Sequence, residues 1–173
     1  MKKLVDEHSL RHKLLDGILK VDREVDGEWV PHSEEEFNLV VFQASDILRD
    51  IMFGGTDIID KIQFGDMSLD PLVDDLRNVA PPLVTDTSLT NKLYEKVVSK
   101  TSEMYGTHPA IKYEVTLARD EFNGNGEQLI TEFSLATVSG RIFTRKTRAS
   151  IYKDNETSFR FTWWLIFNNS WLL

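Results

Sequence analysis

The chain has 173 residues, 41% of them hydrophobic and 28% charged, which suits one compact domain with a real core, with or without an appended arm, and excludes disorder throughout. Its 28 acidic and 20 basic residues leave a formal net charge of −8, so a phosphate backbone is a poor partner for the molecule as a whole. Cysteine is absent, which excludes disulfides, thiolate metal sites and cysteine nucleophiles; charges at Asp6, Glu7, Arg11 and Asp16 leave no signal-peptide core, and no run of apolar residues is long enough for a membrane span.

Residues 1–17 are polar with scattered apolar positions, and the spacing of Leu10, Leu14 and Ile18 allows a short amphipathic helix. This segment is either a helix docked on its own domain or an arm lying on a neighbouring subunit. From Ile18 onward a single β-sandwich domain, 18–169, is expected. Leu19, Val21, Arg23 and Val25 lead into Asp26-Gly27 and then Trp29-Val30, which predicts a hairpin on a two-residue turn whose central residues take positive φ. Pro31 and Ser33-Glu34-Glu35-Glu36 read as a break followed by a helix cap with acidic residues in the first turn. The stripe Leu39/Val40, Ala44, Ile47/Leu48 and Ile51/Met52 predicts an amphipathic helix over 38–53, stopped by Gly54-Gly55.

Ile58 to Phe64 is a strand ending at Gly65. The stretch 66–90, with Pro71, Pro81, Pro82 and several aspartates, reads as a long loop. Strand character returns over Lys92 to Met104 and breaks at Gly106 to Pro109. Tyr113, Val115 and Leu117 then alternate with polar residues, as do Leu129, Thr131, Phe133 and Leu135 after the turn at Asn123-Gly124-Asn125-Gly126. Ser139-Gly140 and Asp154-Asn155 are the next turns. The last strand is the most regular: Phe159, Phe161, Trp163, Leu165 and Phe167 form an unbroken apolar face, and Trp164 and Ile166 on the other face predict a strand inside a sheet with cover on both sides. The fold expected is therefore mainly β with one helix: an antiparallel β-sandwich or half-open barrel packed against one amphipathic helix, with an N-terminal arm and a tail at 170–173.

Signals for chemistry are sparse. His8 and His12 lie four apart without the glutamate of a zinc-protease motif, and His32 and His108 stand alone. Glu121, Asn123, Asn125, Gly126 and Glu132 match the first, third, fifth, sixth and twelfth places of a calcium loop, but the first place wants aspartate and the strand-like flanks favour a hairpin turn. No phosphate loop, nucleophile elbow or carboxylate pair stands at a catalytic spacing. No cofactor and no enzymatic activity are expected. Trp29, Trp163, Trp164 and Trp171 offer stacking faces for a carbohydrate or receptor, against the commoner use of strand aromatics as core.

Several short segments resemble a group of small structural proteins of tailed bacteriophages: Asn38-Leu39-Val40; Ile62-Gln63-Phe64-Gly65; Asp86-Thr87-Ser88-Leu89; Ile130-Thr131-Glu132-Phe133-Ser134-Leu135; and Gly140-Arg141-Ile142-Phe143-Thr144-Arg145 ahead of the aromatic strand. In that group the corresponding fragments read N-(L/I)-V, I-x-F-G, D-T-x-L and I-x-E-x-G-L. The chain departs at Ser134, where glycine is usual, and in a longer insertion around Asp70 to Pro82. The resemblance implies a virion component of the tail, neck or fibre attachment, made in the host cytoplasm. It would bind copies of itself as a homo-oligomer, and other virion proteins, with no nucleic acid or membrane as partner. Leu10, Leu14, Trp171, Leu172 and Leu173 are the interface residues this reading nominates.

Overall fold

The computed structural model describes residues 15–67, 80–123 and 127–167. It contains β1 (Leu15–Val25), β2 (Glu28–Pro31), β3 (Glu36–Val40), α1 (Gln43–Met52), β4 (Ile59–Gly65), β5 (Lys92–Val97), β6 (Ser99–Tyr105), β7 (His108–Leu117), β8 (Glu127–Thr137), β9 (Ile142–Asp154) and β10 (Phe159–Phe167). The strands pair in the order β5-β4-β8-β9-β3-β1-β10-β7-β6, with β2 added on β1, and every pairing is antiparallel. The sheet curls into a half-barrel against which α1 packs through Ala44 and Ile47.

Two corners produce the curl. β3 pairs with β1 through Glu36–Asn38 and then with β9 through Leu39–Val40, so one short strand passes from one half of the sheet to the other. The two ends of the pairing order, β5 and β6, are consecutive in the chain and separated only by Val98, which is buried and donates its N–H to the Asp60 carbonyl at 2.9 Å. The result is a continuous core, with Leu19, Val21, Phe64, Phe133, Phe161 and Trp163 among its buried members. Phe64 is its hub: ring centroids of Phe161, Phe133, Phe122 and Tyr94 lie 4.9, 6.0, 6.2 and 6.3 Å away.

The hairpin at Asp26-Gly27 forms with φ of 52° and 83°, the left-handed pair that an Asp-Gly turn supplies. β10 lies between β1 and β7 with Phe159, Phe161, Trp163 and Leu165 buried on one face, while Thr162 and Ile166 are buried on the other. Tyr105 and Trp164 supply part of that second cover, packing on Ile18, Ala110 and Ile166.

The structure corrects the expected elements at several points. The helix expected over 38–53 begins only at Gln43, because Asn38-Leu39-Val40 is strand: the Asn38 side chain occupies the space left beside Gly17, its register partner on β1. Ser33 to Glu36 therefore caps no helix; Glu36 pairs with Lys146 at 2.9 Å and Arg148 at 2.7 Å across the sheet. Residues 15–17 of the expected arm belong to β1, where Leu15 faces Phe167, and β7 already begins at His108 because Gly106, at φ 60°, makes a tight hairpin. In β8 the alternation of Leu129, Thr131, Phe133 and Leu135 is broken by a bulge between Ile130 and Glu132. It sends Ile130, Phe133 and Leu135 to the core and turns Thr131 toward the loop, where it accepts from the Met67 N–H at 2.7 Å.

Candidate functional site

Four of the short segments singled out in the sequence meet in one place. Glu132 on β8 is fully buried; one carboxylate oxygen accepts the Asn91 N–H at 2.8 Å, and the other accepts the Thr90 N–H at 3.0 Å and an Arg145 Nη at 2.6 Å. Arg145, the β9 neighbour of Ser134, also donates to Asp86 at 2.6 Å and to the Thr90 hydroxyl at 2.8 Å. Asp86 in turn accepts the Leu83 N–H at 2.7 Å. Gly65 completes the arrangement by lacking a side chain: a Cβ there would stand 2.6 Å from the Asn91 carbonyl oxygen and 2.7 Å from the Glu132 carboxylate. The outer face of β8 is thus covered by the loop 80–91, held by a buried ion pair and two captured backbone amides. This is a clamp that gives the loop one conformation, with both charges engaged by protein groups.

A second feature is an apolar groove of about 420 Å³ at one end of the half-barrel. Its walls are Leu48 and Ile51 from α1, Ile58 and Ile59 at the start of β4, Leu15 and Phe167 at the paired ends of β1 and β10, and Ile111, Tyr113, Phe143 and Leu165 from the sheet. Lys100, Thr101 and Ser102 of β6 supply its polar edge. Beside it, the end of α1 holds Met52 and Phe53 out in solvent at 86% and 88% exposure. That end is rigid. The Gly54 and Gly55 N–H groups bond back to Ile51 and Asp50 at 3.0 and 2.8 Å, Gly54 takes φ 84°, and Arg141 grips Asp50 at 2.7 Å.

Leu10, Leu14, Trp171, Leu172 and Leu173, nominated for an interface, lie outside the described residues, as do His8 and His12. Of the calcium-loop residues, Asn125 and Gly126 lie outside as well, and the others serve separate partners. Glu121 accepts from Lys96 at 2.6 Å and from the Ala118 N–H at 2.9 Å, Asn123 accepts from Lys153 at 2.6 Å, and Glu132 belongs to the clamp. Lys153 is itself fully buried; burial pushes its amine down, partly offset by Asp154 and Glu121. Trp163 is core, Trp164 donates its indole N–H to Glu103 at 2.7 Å, and Trp29 lies under the Arg160 guanidinium at 4.8 Å. Sequence reasoning missed the helix-end pair Met52 and Phe53 and the clamp as a unit. The run Ile51-Met52-Phe53 before Gly54-Gly55 was the available signal, since a helix stripe cannot bury three consecutive residues.

The ion pairs carry a pH prediction. Burial pushes the Asp22 carboxyl up, but the hydrogen bond from Arg160 at 2.8 Å and the Lys20 ammonium at 3.1 Å outweigh it and hold the group below the usual range. Glu121 is lowered in the same way, burial being outweighed by Lys96 and the Ala118 N–H. For carboxyls depressed in the folded state, the stabilisation is complete above the unfolded value and is lost as pH falls through the lower folded one. The urea midpoint is therefore expected to hold from neutrality to about pH 5 and to drop below about pH 4. In Asp22→Asn the drop should be shallower; an equal drop would remove Asp22 from the account.

Comparison of the chain with models of protein families, with curated proteins and with solved structures finds no match in any of the three.

Proposed function

We propose that this protein is a structural component of a tailed-phage particle, at the tail, neck or fibre attachment, that works by binding neighbouring subunits, copies of itself included. The observation that carries the reading is the pair Met52 and Phe53, two large apolar side chains presented to solvent by a helix end fixed through Arg141–Asp50 and the Gly54-Gly55 cap. Exposed large apolar groups on a rigid mount are what the centre of a protein interface uses: their burial against a partner is favourable, and no conformational freedom is lost in fixing the backbone beneath them. The resemblance adds support, since its fragments at Gly65, Asp86, Glu132 and Arg145 are the residues of the clamp, a device for rigidity.

The test is native mass by light scattering from micromolar to millimolar protein. The parent chain is expected to form a multimer. Met52→Ser with Phe53→Ser should weaken association about a hundredfold, since each buried side chain contributes at least about 1.5 kcal/mol. The variant should fold as well as the parent. A parent that stays a single chain at millimolar concentration overturns the proposal.

A further inference from the structure

The polar groups around the apolar groove are gathered on one side. Tyr113 apart, every wall residue outside β6 is leucine, isoleucine or phenylalanine, whereas β6 contributes Lys100, Thr101 and Ser102. Lys100 and Ser102 stand opposite Tyr113 and Ile111 in the ladder between β6 and β7, and residues directly paired across two strands project to the same face, so both side chains lie on the groove side. Lys100 is the one charged residue of the lining. It has no carboxylate partner among the described residues, although every other described lysine reaches a carboxylate or carbonyl oxygen. In a chain of net charge −8, a cation left over at the edge of an apolar groove marks a place for an anion brought from outside. We infer that the groove binds a free alkyl carboxylate of the fatty-acid type, with its chain along the apolar walls and its carboxylate at Lys100.

A volume of about 420 Å³ lies within the range of small-molecule sites. The groove is open to a ligand, since Leu48, Ile58 and Phe167 on its walls are 39, 42 and 37% exposed. A hydrocarbon chain laid there takes its own methylenes and these side chains out of water together, which is favourable on both sides of the contact. The head group follows from the distribution of polar groups: a molecule polar at one end only suits a site polar along one edge only. There the Lys100 ammonium donates a charge-assisted hydrogen bond to the carboxylate, and the Ser102 hydroxyl is a second donor on the same face. One ammonium matches a monoanion, whereas a phosphate dianion would bring an unmatched charge to a protein already acidic. Met52 and Phe53 do not line the groove, so this binding and the association proposed above are measured separately.

The probes are decanoate, below its micellar concentration, and the uncharged decanol of equal length, each titrated by calorimetry into the full chain. Decanoate is expected to bind saturably, one molecule per chain, and more tightly than decanol. Lys100→Met removes a charge that holds no carboxylate, so the variant should melt like the parent; it should bind decanoate about tenfold more weakly and decanol as the parent does. Leu48→Trp, with its melting followed to establish folding, fills the groove from α1 and should abolish uptake of both probes. Absence of saturable decanoate binding by the parent, equal decanoate affinity of the parent and Lys100→Met, or full binding by folded Leu48→Trp overturns the inference. Sedimentation of the chain with phosphatidylglycerol vesicles, without uptake of free decanoate, would make the groove a membrane contact instead and overturns it as well.

Discussion

Glu132→Gln is expected to destabilise the protein by about 3 kcal/mol or more, although the side chain keeps its size and shape. Both carboxylate oxygens face donors: Oε1 faces the Asn91 N–H, and Oε2 faces the Thr90 N–H and the Arg145 guanidinium. Whichever way the amide is turned, its NH2 points at a donor inside a fully buried site. One backbone amide or the guanidinium is then left without an acceptor, and the Arg145 charge keeps only Asp86 as counter-ion. Arg145→Met should cost about 3–5 kcal/mol, the usual range for breaking one side of a buried pair, with the lower end favoured because Glu132 retains its two backbone donors. Replacing both, Glu132→Leu with Arg145→Met, should cost less than the two single changes added together, because no charge is then left unpaired. Urea denaturation measures all three. Amide exchange separates local from global effects: Thr90 and Asn91 should lose protection in Glu132→Gln while the centre of β10 keeps it. A cost under about 1 kcal/mol for Glu132→Gln would mean that the loop is held by something other than the carboxylate.

Phe64→Ala is expected to cost about 3–5 kcal/mol, the range for truncating a large aromatic in a close-packed core. The ring is fully buried and meets four others, so its removal leaves a cavity whose lining cannot collapse without moving strands from both halves of the sheet. Phe64→Leu should lie well below it, since most of the volume is kept. Phe53→Ala is the contrast. That ring is 88% exposed, so monomer stability should change by no more than about 0.5 kcal/mol, while self-association should suffer. Phe64 also adjoins Gly65, which touches Glu132, so Phe64→Ala and Glu132→Gln should not be additive. Chemical denaturation of the Phe64→Ala and Phe53→Ala variants decides the first point, and an equal loss in both would contradict the assignment of Phe64 as hub.

Where local rules act alone, the sequence was legible. Alternation in Phe159 to Phe167, positive φ at Asp26-Gly27 and the glycine stop at Gly54-Gly55 each depend on neighbours within a few residues, and each stands in the structure. The start of α1 was misread for a reason of the same kind. Asn38, Leu39 and Val40 continue a helical stripe as well as they form a strand, and only pairing with Gly17 on one side and with Thr144 and Arg145 on the other selects the strand. The bulge in β8 was invisible because it answers to the partner strand and to the loop, not to any residue type at that point.

The candidate sites divide along the same line. The fragments at Gly65, Asp86, Glu132 and Arg145 could be picked out one by one, yet nothing in their separation along the chain says that they touch. Hydrophobic patterning and turn chemistry thus determined on their own that the described residues form an antiparallel β structure with one helix. The joining of β3 to two halves of the sheet, the clamp over β8 and the groove between α1 and the ends of β1 and β10 were decided only in three dimensions. The physical reason is that buried charges and cavities depend on which distant surfaces meet, and that meeting is set by the packing of the whole sheet, not by the propensity of any segment within it.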